Sequence, residues 1–257
     1  MNYETLELWM RSTYGSTAQK YRDADELDVR GRDHCQICSV LQTLSASFAG
    51  QITVLDLGCG TGRFFHCFRN VRKLVGVDVS QEMLAAARHP VQGEEIEAEQ
   101  IELVCGNFYK LNFAPDSFDL IYSVGVFGNG CAITRELLTK LHHWLKPSGR
   151  LFFDALDITG LKVLVRARKL AGAMAYSLLP ARLQEWWVNR SGWLPLYPVS
   201  KRKLLQSLES SGFVNVEVHS RFCQLPMEWG RKLQCIASKP VQIANAESSH
   251  GVTPFGR

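Results

Sequence analysis

Nowhere in this sequence is there a run of about 18 uncharged apolar residues, the length a helix needs to cross a bilayer. The start, Met1 to Glu7, lacks the basic-then-apolar pattern of a secretory signal, so a cytoplasmic location is expected. Charge of one sign is scarce: 29 Lys and Arg stand against 25 Asp and Glu, a net +4 at pH 7 with the signs interleaved. That balance argues against a dedicated nucleic-acid partner. Cysteine is present but not crowded. Eight thiols are scattered over 257 residues, unlike the dense frameworks of small disulfide-framed domains, so reduced thiols are expected. One Cys-x-x-Cys, Cys35 to Cys38 after His34, has no second pair at ligand spacing behind it. No metal is therefore assigned, and the pair reads as two thiols on a buried helix face.

What is there is globular: 46% hydrophobic and 21% charged residues suffice for one α/β domain with an added element. From Ile52 onward, short apolar runs alternate with helical patterns, the form taken by strand-helix-strand units around a parallel sheet. The runs are Ile52–Leu57, Lys73–Val79, Ile101–Cys105, Phe118–Ser123 and Gly149–Asp154. A helix is expected after Ser80, which can cap it, with Glu82 in its first turn. Others are expected over Ala132–Leu145, stopped by Pro147 and Gly149, and from Ser200 to Gly212. Val214–Val218 and Leu233–Ala237 then read as an antiparallel edge hairpin.

The expected fold is a Rossmann-like, doubly wound, mostly parallel seven-stranded sheet. Residues 1–50 form an N-terminal helical lid and 51–156 the ligand-binding core. Residues 157–199 are a helical and aromatic insertion after the fifth strand, 200–239 the last helix and strands, and 240–257 a loose tail. The insertion carries Lys162, Arg166, Arg168 and Lys169 on one predicted helix, Leu161 to Leu179, and then Trp186, Trp187, Trp193 and Tyr197. It reads as a lid over a largely apolar pocket.

The first strand closes on Val54-Leu55-Asp56-Leu57-Gly58-Cys59-Gly60-Thr61-Gly62. Its glycines alternate, so it is not the G-x-G-x-x-G turn that seats a pyrophosphate. A wider turn of this kind suits an amino-acid moiety and a ribose, with Asp56 placed to attract an ammonium group. Twenty residues after Gly58, Asp78 ends the second strand, where a carboxylate can accept both ribose hydroxyls. Val79 and Met83 would flank an adenine ring. Gly106-Asn107-Phe108, at the end of the third strand, offers an amide for the adenine edge and an aromatic wall. These strand ends converge at the carboxyl edge of the sheet.

With these motifs in order, the chain resembles a class I S-adenosylmethionine-dependent methyltransferase of small-molecule type, across roughly Ile52 to Phe153. Leu145-Lys146-Pro147-Ser148-Gly149-Arg150-Leu151 is similar to that family's Leu-Lys-Pro-Gly-Gly turn, with Ser148 in place of a glycine and Asn107 in place of the more usual aspartate. The resemblance implies S-adenosylmethionine as cofactor, S-adenosylhomocysteine as product, and cofactor contacts from Cys59, Gly62 and Ser123 besides the residues above. It also implies a lid in which Tyr14 and Tyr21 cover the cofactor.

The same resemblance places Phe127 and Asn129 near the methyl group, so Tyr14, Phe127, Asn129, Trp186, Trp187 and Tyr197 are candidate acceptor contacts. Ser123 to Gly130 lacks the motifs of enzymes acting on DNA bases or protein arginine, which leaves a small-molecule acceptor, apolar or aromatic. In-line displacement at a sulfonium needs alignment more than acid–base help, so no catalytic residue is assigned. His34, His142 and His143 are candidate bases that fit helix-surface or core roles better. Two other readings stand beside this one. The basic apolar helix suits weak membrane-surface contact and a lipid or quinone acceptor, and intact cofactor motifs also fit a binding protein without catalysis.

Overall fold

All six residues of β1 (Ile52–Leu57) are buried, because the strand lies in the middle of a sheet covered on both faces. The computed structural model describes residues 3–128, 130–160, 178–180, 183, 197–222 and 231–241. In chain order these form α1 (Tyr3–Asp28), α2 (Arg32–Ala46), β1, β2 (Val71–Asp78), α3 (Gln81–Ala87), β3 (Gln100–Cys105) and β4 (Phe118–Phe127). There follow α4 (Arg135–Trp144), β5 (Leu145–Leu156), α5 (Lys201–Glu209), β6 (Val214–Phe222) and β7 (Arg231–Ser238).

Seven strands lie in the order β3-β2-β1-β4-β5-β7-β6. The first five are parallel; β7 runs antiparallel to β5 and to β6. The expected hairpin is present, with β7 inserted beside β5 and β6 left at the edge. The sequence order reverses between β1 and β4, and there the strand ends open a crevice.

Successive strand residues point to opposite faces, and two cores result. On one face Leu55, Leu57, Ile121, Leu151 and Phe153 pack with Leu137, Leu138 and Leu141 of α4 and Leu204 and Leu208 of α5. On the other, Val54, Leu74, Leu120, Tyr122 and Phe152 meet Ile37, Leu41 and Leu44 of α2 and Leu84 of α3. Three helices start on hydroxyl caps: Ser80 accepts from Met83 N, Thr134 from Leu137 N, and Ser200 from Lys203 N. The Thr134 cap starts α4 at Arg135, three residues later than expected from Ala132.

The crossover from β1 to β2 holds no α-helix. Gly58, Gly60 and Gly62 all adopt positive φ and bend the chain, and a short 3-10 turn, Phe65–Cys67, fills the space with buried rings and a thiol. β5 begins at Leu145 rather than Gly149; its register against β4 shifts where Ser148 takes φ 65°, the conformation a glycine adopts without strain.

The thiol expectation is corrected at one pair. Cys35 is exposed, while Cys38 turns inward and is joined by a disulfide to Cys67, because α2 packs onto the 3-10 turn and brings the two Cα atoms to 4.9 Å. At the far end of the insertion Tyr197 N donates to the Gly128 carbonyl at 2.9 Å and Val199 N to that of Leu156 at 2.9 Å. Asn129, Trp186, Trp187, Trp193, the 161–179 helix apart from its last two residues, and the tail beyond 241 lie outside the described residues.

Candidate functional site

The ends of β1, β2, β3 and β4 and the helices α1 and α2 enclose a cavity of about 310 Å³. Its floor is the glycine turn. Gly58 N and Cys59 N both donate to the Val77 carbonyl, at 2.8 and 3.0 Å, which ties the turn to β2. A Cβ on Gly58 would stand 2.4 Å from Val126 Cγ2, so only glycine fits there. A Cβ on Gly60 would meet nothing within 4 Å, so that side of its backbone is open to a ligand.

Asp78 sits above this floor. Its Oδ2 accepts from Gly60 N at 2.9 Å and its Oδ1 from Ser80 N at 2.9 Å. Each oxygen keeps a further lone pair, so the carboxylate can still accept two hydroxyls side by side. Burial pushes its carboxyl up, and the N–H groups of Ser80, Gly60 and Val79 oppose that rise. Asp56 is deeper: it is 3% exposed, and burial pushes it up to about 8, with Tyr122 opposing the shift and the Asp78 charge adding to it. An ammonium group brought into the cavity would restore its charge.

Of the thirteen candidate cofactor residues, Tyr21, Asp56, Gly58, Cys59, Gly60, Asp78, Val79, Met83, Gly106, Asn107 and Phe108 line the cavity. Gly62 and Ser123 do not. Gly62 faces Phe65 and Pro90, and the Ser123 hydroxyl donates to the Leu57 carbonyl at 2.7 Å, so both shape the turn from behind. Asn107 is partly engaged already: its Nδ2 donates to Glu7 at 3.0 Å and its Oδ1 accepts from Tyr109 N at 3.0 Å. One amide hydrogen is left for a ligand.

Among the candidate acceptor residues, Tyr14 lines the cavity beside Tyr21, with ring centroids 5.9 Å apart. Burial raises both phenols above their ordinary range. Phe127 is 3% exposed and packs against Phe108 and Phe153 instead of facing the cavity, and Tyr197 is not in the lining. Cys131 lines it with its thiol pushed up to about 12 by burial, which leaves it protonated and a poor nucleophile. Of the candidate bases only His34 reaches the wall; His142 packs on Phe213, and His143 lies on the same helix away from the cavity.

The sequence reading missed the helix side of the wall. Asp25 accepts from the Thr61 hydroxyl of the glycine turn. Arg63, just past that turn, pairs with Asp28 at 2.6 Å and with Asp25 at 3.5 Å. It also missed Asp154, which takes Gly125 N at 2.6 Å and Lys232 at 2.7 Å, and Arg221, which holds Asp33 at 2.7 Å. Asp154 had a usable signal: like Asp56 and Asp78, it is a carboxylate near the carboxyl end of a buried parallel strand.

Residues 54–149 match the model of a family described as a methyltransferase domain. Over that stretch the chain is similar to class I S-adenosylmethionine-dependent methyltransferases. A bifunctional biotin-biosynthesis protein, BioHC, of Cellvibrio japonicus is 36% identical over 118 residues, 44% of this chain and 22% of that protein. A demethylmenaquinone methyltransferase of Oceanobacillus iheyensis is 29% identical over 38% of this chain and 42% of its own length. These matches span less than half of either relative. The fold is also that of the Haemonchus contortus phosphoethanolamine N-methyltransferase 2 solved with S-adenosyl-L-methionine. The TM-score is 0.56 at 15% identity, covering 80% of this chain and 52% of that one.

Proposed function

We propose that the protein transfers the methyl group of S-adenosylmethionine to a small, apolar or aromatic acceptor by in-line displacement. The observation that carries the cofactor half is Asp78, held by Gly60 N and Ser80 N with two lone pairs turned to a cavity whose floor is open glycine backbone. In this reading Asp78 accepts the ribose hydroxyls, Asp56 faces the ammonium group, and Val79, Met83, Asn107 and Phe108 surround the adenine. The cofactor supplies the activated methyl carbon. The protein aligns it and excludes water.

The acceptor half rests on the apolar part of the lining, Met10, Ile37, Phe64, Val124 and Val126, which lies beside the cofactor strand ends. It also rests on the aromatic composition of residues 186–197. In-line displacement at a sulfonium needs alignment more than a base, so an acceptor that is nucleophilic without prior deprotonation fits best. An acceptor screen with mass detection of methylated products tests this, with a bulk tRNA arm beside the small molecules. Methylated apolar or aromatic small molecules are expected; product only in the tRNA arm would contradict the acceptor class. Replacing Trp186 and Trp187 together with Ala is expected to lower acceptor turnover while cofactor affinity stays within about threefold. Unchanged turnover in a folded variant would remove the insertion from the acceptor pocket.

A further inference from the structure

Behind the helix wall of the cavity, four metal-ligating side chains converge from two segments. His34 and Cys38 stand four residues apart on one face of α2, and His66 and Cys67 are consecutive in the 3-10 turn after the glycine loop. Their ligand atoms all lie within 4.8 Å of one another. His34 Nε2 is 3.3 Å from His66 Nε2 and 3.3 Å from Cys38 Sγ. Cys38 Sγ and Cys67 Sγ are 3.8 and 3.7 Å from His66 Nε2. We propose that, in the reduced protein, His34, Cys38, His66 and Cys67 form a tetrahedral site for one zinc ion, and that the Cys38–Cys67 disulfide is the form of this site that cannot bind it.

The spacing supports the geometry. A tetrahedral zinc ion with nitrogen at about 2.0–2.1 Å and sulfur at about 2.3 Å holds its ligand atoms about 3.3–3.8 Å apart. The four separations given above fall in that range, and the two sulfurs, bonded to each other, must part. Two imidazoles and two thiolates are a donor set that selects zinc over magnesium or calcium, which prefer oxygen. The residues are 0–8% exposed, and Cys38 and His66, at 8% each, mark the side open to entry.

Charge and protons balance within the site. Arg63 Nε donates to His34 Nδ1 at 3.1 Å, so in the neutral ring the proton lies on Nε2. Zinc binds a neutral imidazole through its Nε2 lone pair, so that proton moves to Nδ1 and the Arg63 contact gives way; displacing both thiol protons then leaves a set with no net charge. Opening the disulfide consumes two electrons and two protons. A dithiol supplies both and is itself oxidised to a disulfide. The sequence signal was the His34–Cys38 spacing, read as part of Cys35-x-x-Cys38; its partners are adjacent residues with no familiar spacing.

The test uses the full chain, stripped of metal and reduced with a phosphine under argon. It is titrated with zinc chloride while native mass spectrometry counts bound ions, and cobalt chloride is used in parallel. About one ion per chain is expected, and with cobalt the visible bands of a tetrahedral site plus a thiolate-to-cobalt charge-transfer band. Cys38→Ser and His66→Ala should each weaken binding by more than the roughly 10–100-fold that loss of an outer-shell partner costs. Cys35→Ser, whose thiol is outside the set, should bind like the wild type. The oxidised wild type is a folded control that should bind none, so the test survives a variant that fails to fold. No zinc on the reduced wild type, or undiminished zinc on folded Cys38→Ser, overturns the proposal. Neither result bears on methyl transfer, because the readout is metal alone.

Discussion

The cavity has two walls built by different physics. The strand-end wall is backbone held by the sheet ladder: Gly58 and Cys59 hang on Val77, and Asp78 is fixed by two N–H groups. The helix wall is side chains held by side chains: Asp25 on Thr61, Arg63 on Asp28, Glu7 on Asn107 and Lys110. A ladder within a parallel sheet leaves a local pattern in the sequence, because strand ends follow apolar runs. Side-chain bonds such as Arg63–Asp28 and Asn107–Glu7, 35 and 100 positions apart, leave none.

The difference is sharpest at the glycines. Gly58→Val would force a branched side chain into Val126 at φ 74°, so a loss of more than about 3 kcal/mol of stability is expected. Gly60→Val, with nothing within 4 Å but φ 53°, should cost only about 1–2 kcal/mol of stability and yet abolish cofactor binding by filling the ligand's space. Urea melts and calorimetry separate the two; equal stability losses would mean that the turn is not held as described.

A pH-dependent effect is expected at Asp56. Its carboxyl holds a proton to about 8 in the folded chain and to about 3.8 when unfolded. The unfolded state therefore releases its proton first as pH rises, and stability falls across that window and levels off above it. Asp56→Asn cannot ionise, so its melting temperature should exceed that of the wild type by a margin that grows from pH 4 to pH 8, while cofactor binding weakens. A margin independent of pH would contradict the burial of this charge.

The smallest effect belongs to the helix wall. Asp25→Ala removes the tie from α1 to Thr61 and should weaken cofactor binding by about 0.5–1.5 kcal/mol. It should also leave the glycine turn intact in hydrogen exchange. A loss as large as that from Gly60→Val would erase the distinction between the walls.

Fold and site were legible to different depths. The five parallel strands, the edge hairpin and the Asp56, Asp78 and Asn107 positions follow from apolar runs and from what ends them. The missing helix between β1 and β2 was not legible, because three positive-φ glycines and the packing of Phe65 and Phe68 override a pattern that elsewhere announces a helix. Phe127 and Ser123 were placed at the site by the family resemblance, yet both lie within β4, where one packs into the core and the other bonds to Leu57. The three residues between them, Val124, Gly125 and Val126, line the cavity instead.

The central claim is that S-adenosylmethionine binds at the strand ends with its ribose on Asp78. Isothermal calorimetry of S-adenosylhomocysteine with the wild type and with Asp78→Ala, both checked for folding, measures it directly. The account predicts one site per chain on the wild type and an affinity loss of about 1.5–3 kcal/mol in the variant, the cost of leaving two hydroxyls without a charged acceptor. Equal affinities, or no binding to the folded wild type, would contradict it.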